Sequence, residues 1–135
     1  MSINTKNRGF TLIEILVVIA IIGILASVVL ASLNSARDKG ADAAIKSSIN
    51  NARAQAELIY DDNSSSYDTV CDDPTIDNIE ASVLGAGGIP SCSDDADAYR
   101  LSSPLQTNSA LYYCVDSTGV ATTTGTAPST TACPS

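Results

Sequence analysis
The chain has no histidine and no tryptophan, and a single phenylalanine and a single methionine in 135 residues. Without histidine it lacks the side chain most often used as a general base and as a metal ligand, so no enzymatic activity is expected. Bases are scarce as well, with seven Lys and Arg against fifteen Asp and Glu, and they are unevenly placed. From Phe10 to Tyr60, Arg37, Lys39, Lys46 and Arg53 balance Glu14, Asp38, Asp42 and Glu57. From Asp61 onward Arg100 stands alone against eleven carboxylates. So acidic a C-terminal part repels phosphate backbones, which argues against direct nucleic-acid binding.

Cysteine is missing from the first half and present four times in the second, as Cys71, Cys92, Cys114 and Cys133. An even count in a small exported domain reads as two disulfides formed in an oxidising compartment. Zinc is the rival reading. It is opposed by the absence of any CxxC spacing and of histidine.

What the chain does have is a long apolar run. Met1 to Gly9 is polar and carries Lys6 and Arg8, and it abuts a segment from Ile15 to Leu33 interrupted only by Gly23, Ser27 and Ser32. That run approaches the ~20 residues a helix needs to cross ~30 Å of hydrocarbon. A basic stretch before an apolar one has the outline of an export signal, yet no A-x-A-like site and no break in composition follows. The helical pattern continues instead. Leu33, Ala36, Ala41, Ala44, Ile45, Ile49, Ala52, Ala56 and Ile59 recur at helical spacing, with charges placed on the opposite face. Asp42 with Lys46, and Arg53 with Glu57, are i,i+4 pairs that would support the helix by ~0.2–0.5 kcal/mol each. One helix from Phe10 to about Tyr60 is therefore expected, ~75 Å long at 1.5 Å per residue.

The run Asp61-Asp62-Asn63-Ser64-Ser65-Ser66 ends that helix, because these side chains compete for local backbone groups. Asp73 before Pro74 reads as an N-cap and first helical residue, opening a short helix that Gly85 closes. Tyr99 to Leu105 and Ala110 to Asp116 flank a polar turn and read as a hairpin, and Val120 to Thr124 reads as a third strand. The fold class is α+β: a long N-terminal helix, apolar then amphipathic, packed on a small antiparallel sheet and locked by disulfides. The expected divisions are a leader at 1–9, an apolar helical segment at 10–33, an amphipathic segment at 34–61 and a head at 62–135.

The residues GFTLIEILVVIAIIGILASVVL, Gly9 to Leu30, resemble the N-terminal signature of type IV pilins and of the pseudopilins of type II secretion. The resemblance implies cleavage between Gly9 and Phe10 by a prepilin peptidase and N-methylation of Phe10. Glu14, fifth residue after that cut, matches the family's glutamate. It further implies a membrane-held precursor that an assembly ATPase and platform machinery polymerise with other copies of itself into a cell-surface filament. A secretion or competence pseudopilin is the alternative inside the class, and a monomeric membrane-anchored binding domain the alternative outside it. One departure is that many members have proline where this chain has Ala31, although Gly23 matches a glycine often found earlier. The family's C-terminal disulfide maps onto Cys114 and Cys133, leaving Cys71 with Cys92, one of the three pairings that four cysteines allow.

The residue types at this junction also have a physical rationale. An ionised carboxylate between Ile13 and Ile15 is costly in apolar surroundings unless it is paired. A cut after Gly9 creates a cation, the Phe10 ammonium, which can pair with Glu14 of a neighbouring copy and penalise wrong axial offsets. Elsewhere the runs Asp72, Asp73, Asp77 and Asp94, Asp95, Asp97 offer calcium-type oxygen ligands, and the resemblance to major pseudopilins includes a calcium-stabilised head. Their spacing fits no EF-hand and a solvated acidic surface accounts for them, so no cofactor is assigned, with calcium as the minority reading.

Overall fold
The computed structural model describes residues 9–134, so Lys6 and Arg8 of the expected leader lie outside the described residues. Along the chain come α1 (Leu12–Asp62), α2 (Pro74–Gly85), β1 (Ser91–Asp94), β2 (Tyr99–Pro104), β3 (Tyr112–Asp116) and β4 (Ala121–Thr124). They fall into two compact units, Met1–Ala36 and Arg37–Ser135.

In the first unit α1 is uninterrupted through Gly23 and Ala31, and every described residue is exposed. Its most apolar window has a mean hydropathy of 3.0 with none of it buried, so this helix is long and apolar enough to cross a membrane. Ser27, the most central polar residue, turns its hydroxyl onto the carbonyl of Ile24 at 2.7 Å and thereby satisfies itself within the helix.

In the second unit the same helix is amphipathic. Its buried positions are Asp42, Ile45, Ile49, Ala52 and Ala56, alternating by three and four residues as one helical face requires. This face meets a four-stranded meander in the order β1-β2-β3-β4 with every neighbour antiparallel. Tyr99 and Leu101 of β2 and Tyr113 and Val115 of β3 pack with Ile45, Ile49, Val70, Ile76 and Val83 into one core. Each fully buried aliphatic contributes ~1.5–3 kcal/mol of transfer free energy, set against the conformational entropy lost on ordering. Leu33 and Ala36, the first members of the expected stripe, are exposed, so the core-facing stripe starts later than its apolar residues.

Local chemistry explains the element ends. Asp73 caps α2 by accepting from the Thr75 backbone N–H at 2.8 Å, with Pro74 in the first turn. Helix α1 stops where Ser64 takes a left-handed φ of 56° and the Ser65 N–H reaches the Tyr60 carbonyl at 3.0 Å, a Schellman-type closure without its usual glycine. Gly88 is needed for close approach. A Cβ there would come within 2.7 Å of both Val83 Cγ1 and Ser103 Oγ.

Two expectations are corrected. Strand β1 falls in a segment with no expected strand, since Ser-Cys-Ser-Asp offers neither β-branched nor aromatic residues. Its pairing with β2 and the bond from Cys92 to Cys71 hold it instead. The expected i,i+4 pairs are also not what those side chains form. Asp42 faces the core and accepts from the Gln106 and Thr107 backbone N–H groups and from the Thr107 hydroxyl. Arg53 donates to the Gly119 carbonyl at 3.0 Å, Glu57 accepts from the Tyr67 hydroxyl at 3.1 Å, and Lys46 lies 5.8 Å from the centre of the Tyr113 ring. Partners in the loops and turns of the head, and the Tyr113 ring of β3, engage these side chains in place of a weak, solvent-screened pair along the helix.

Candidate functional site
The described chain enters α1 through Gly9, Phe10 and Thr11, all exposed. Thr11 is the N-cap and Glu14 the third helical residue, and the two form a reciprocal capping box. The Thr11 backbone N–H donates to Glu14 Oε2 at 2.8 Å, its hydroxyl to the same oxygen at 2.9 Å, and the Glu14 N–H to Thr11 Oγ1 at 3.3 Å. Reasoning from the apolar run overlooks this role of Thr11, although the T-x-x-E spacing at residues 11–14 carries the signal.

Glu14 is the only charged residue between Phe10 and Ala36. With Phe10, Ile13, Val17 and Val18 it lines an open groove along the start of the helix. The arrangement therefore sets one carboxylate, already oriented by Thr11, in an otherwise uncharged and fully exposed apolar surface. Such a group can accept a cation brought by another chain, or snorkel toward a polar boundary.

In the second unit Cys71 is bonded to Cys92 and Cys114 to Cys133, the sequential pairing, and no cysteine is free among the described residues. The first bond ties the stretch after α1 to β1, and the second ties β3 to the C-terminal segment. Asp116 secures that segment again. Its Oδ2 accepts from the Cys133 N–H at 2.8 Å while its Oδ1 holds the Thr118 and Val120 turn. Burial works to raise the Asp116 carboxyl, but the bonds from Thr118, Cys133 and Val120 outweigh it, so Asp116 titrates below the ordinary carboxylate range. Tyr67 and Tyr99 are both pushed up to about 12, first by burial and then by the Glu57 carboxylate nearby.

Three side chains of the Asp runs are engaged by backbone N–H groups. Asp94 accepts from the Cys71 N–H at 2.8 Å, Asp95 from the Asp97 and Ala98 N–H groups at 2.9 Å each, and Asp73 caps α2. Among the described residues no group of three or more His, Cys, Asp or Glu side chains is arranged to hold a metal ion. Arg100, the lone base from Asp61 onward, is buried at 4 % exposure. It donates to Ser102 Oγ at 2.9 Å and to the Pro128 carbonyl at 3.4 Å.

The described chain combines an exposed apolar helix that opens on a capped glutamate with an α+β head locked by two disulfides. Residues 4–30 match the family model described as the prokaryotic N-terminal methylation motif. The chain is 45% identical over 58 residues to the type IV wide pilus major component PilA4 of Thermus thermophilus, covering 43% of this chain and 44% of that protein. It thus aligns with less than half of the curated relative's length. No solved structure gives a significant match. Over its N-terminal part the chain is therefore similar to the prokaryotic N-terminal methylation motif and to a type IV pilus component.

Proposed function
We propose that the chain is the structural subunit of a type IV pilus-like surface filament, matured by a prepilin peptidase that cuts between Gly9 and Phe10 and polymerised through its N-terminal helix. Phe10 then carries the new amino group and its N-methylation. The 10–33 segment holds the subunit in the membrane, with 34–61 and 62–135 outside it, until an ATPase-driven platform transfers it into the growing fibre. There the apolar helices exchange lipid for one another. The reading needs no cofactor, and the heads remain at the surface.

One observation carries this reading: Glu14 is the sole charge in the apolar, exposed part of α1, at the third position of a helix that starts just past the proposed cut. In a dry fibre core an unpaired ammonium is strongly disfavoured, so each incoming Phe10 is accepted only at the offset where it meets a carboxylate. The name of the Thermus relative, a pilus component, favours a pilus over a secretion pseudopilin.

The capping box suggests a sharper experiment than alanine alone. Glutamine also closes a capping box, so Glu14→Gln keeps the helix start and removes only the charge. Both Glu14→Ala and Glu14→Gln are expected to be exported and cut normally, since removing a carboxylate eases insertion. Sheared fibres should fall at least tenfold for both, measured against processed subunit in the membrane, without wild-type chain present. Wild-type yields from Glu14→Gln would overturn registration by charge.

A further inference from the structure
The net charge changes sign along the amphipathic part of α1, from positive at its start to negative at its end. Arg37 and Lys39 stand at its start, exposed and net positive even with the exposed Asp38 between them. Asp38, adjacent to both, does not face either along the helix, Arg37 has no carboxylate three or four residues away, and Asp42, three beyond Lys39, is turned into the core. At the other end Asp61 and Asp62 are exposed in the last turn, which contains no base. Glu57, four residues before Asp61, adds a like charge, and the negative end of the helix dipole adds to the repulsion. Nothing beyond relieves them, because Arg100 is buried and no other base follows Asp61. The described surface from Asp61 to Pro134 thus exposes carboxylates and no cation.

From these placements we infer that Arg37 and Lys39 form a docking surface for a second copy of this chain, pairing with its Asp61 and Asp62. This rests on the fibre reading above. The two ends cannot meet within one chain, since Lys39 and Asp61 are 22 residues apart on one helix, or ~33 Å. The pairing therefore sets an axial offset of that size between parallel copies. A Phe10-to-Glu14 contact spans only four residues, ~6 Å. The ionic pairing then joins subunits further apart along the fibre than those registered by Glu14, tying successive turns together.

The separation makes a zero-length cross-link diagnostic. Fibres of full-length wild type are treated with a carbodiimide, which couples an amine directly to a carboxylate, and digested for mass spectrometry. A Lys39 peptide joined to the peptide carrying Asp61 or Asp62 is expected, and at this distance it is intermolecular. Lys39→Arg should keep the fibres and lose the cross-link. Reversal with Arg37→Glu and Lys39→Glu should lower fibre yield at least tenfold and be restored by Asp61→Lys with Asp62→Lys. Abundant fibres in which Lys39 couples to other carboxylates or to none, or which tolerate the reversal, would overturn the pairing while leaving the filament reading in place. Wild-type chain that is processed but never sheds fibres would overturn the filament reading itself.

Discussion
On an isolated helix Asp42 would be read from its spacing to Lys46, yet its carboxylate holds the turn between β2 and β3, 64 residues away. At 8 % exposure it is the polar member of a core-facing stripe. Replacing it with alanine leaves two backbone N–H groups and a hydroxyl without their acceptor. Because Gln106 and Thr107 are exposed enough for water to compensate in part, the cost should be ~1–3 kcal/mol. For a domain of this size that is a fall of roughly 4–8 °C per kcal/mol in melting temperature. Asp42→Asn, which keeps one acceptor, should lose less. Thermal melts of the two variants decide it, and equal stability to wild type would show that the contact contributes nothing. No property of Asp42 within its own helix announces this partner, whereas Glu14 is legible because its surroundings are uniformly apolar.

Elements differ in legibility for the same reason. Helix α2 could be placed from Asp73, Pro74 and Gly85, since cap, first turn and stop are local chemistry. Strands β2, β3 and β4 followed from their aromatic and β-branched residues, whereas β1 exists only through β2 and a disulfide. The segment after β4 has no regular structure and is pinned by the Cys114–Cys133 bond and by Asp116. Closing a loop of about 20 residues is worth ~3 kcal/mol in the chain-entropy account. Cys114→Ser with Cys133→Ser should therefore melt at least 10 °C lower while keeping the core. Asp116 adds a pH dependence of known sign. Its folded-state carboxyl is depressed, so its contribution is complete above the ordinary carboxylate range near pH ~4 and is lost as pH falls through the depressed value. The double-serine variant, left with Asp116 as the only tie at Cys133, should lose protection of its C-terminal segment as acid is added. Melts and limited proteolysis from neutral to acidic pH test both parts.

For the molecule as a whole, the proposed function makes the N-terminal junction the control point for the order of events. Before the proposed cut the apolar helix is preceded by a polar stretch bearing Lys6 and Arg8; after it, by nothing but the Phe10 amino group. Burying an uncut leader among packed apolar helices would strand two cations far from any carboxylate, Glu14 being the only one within reach of that end. Under the proposed function, cleavage would act as a licence for assembly, exchanging two misplaced charges for one that fits. Blocking it should trap the subunit at the membrane stage. Gly9→Leu, which puts a bulky side chain at the junction, is expected to insert normally, since the apolar segment is untouched, but to stay uncut and absent from sheared fibres. Mass spectrometry of the wild-type fibres should show a chain starting at a methylated Phe10, and that of the variant membranes the intact leader. Fibres built from the uncut variant would refute the licensing argument, because their cores would then tolerate Lys6 and Arg8 without partners.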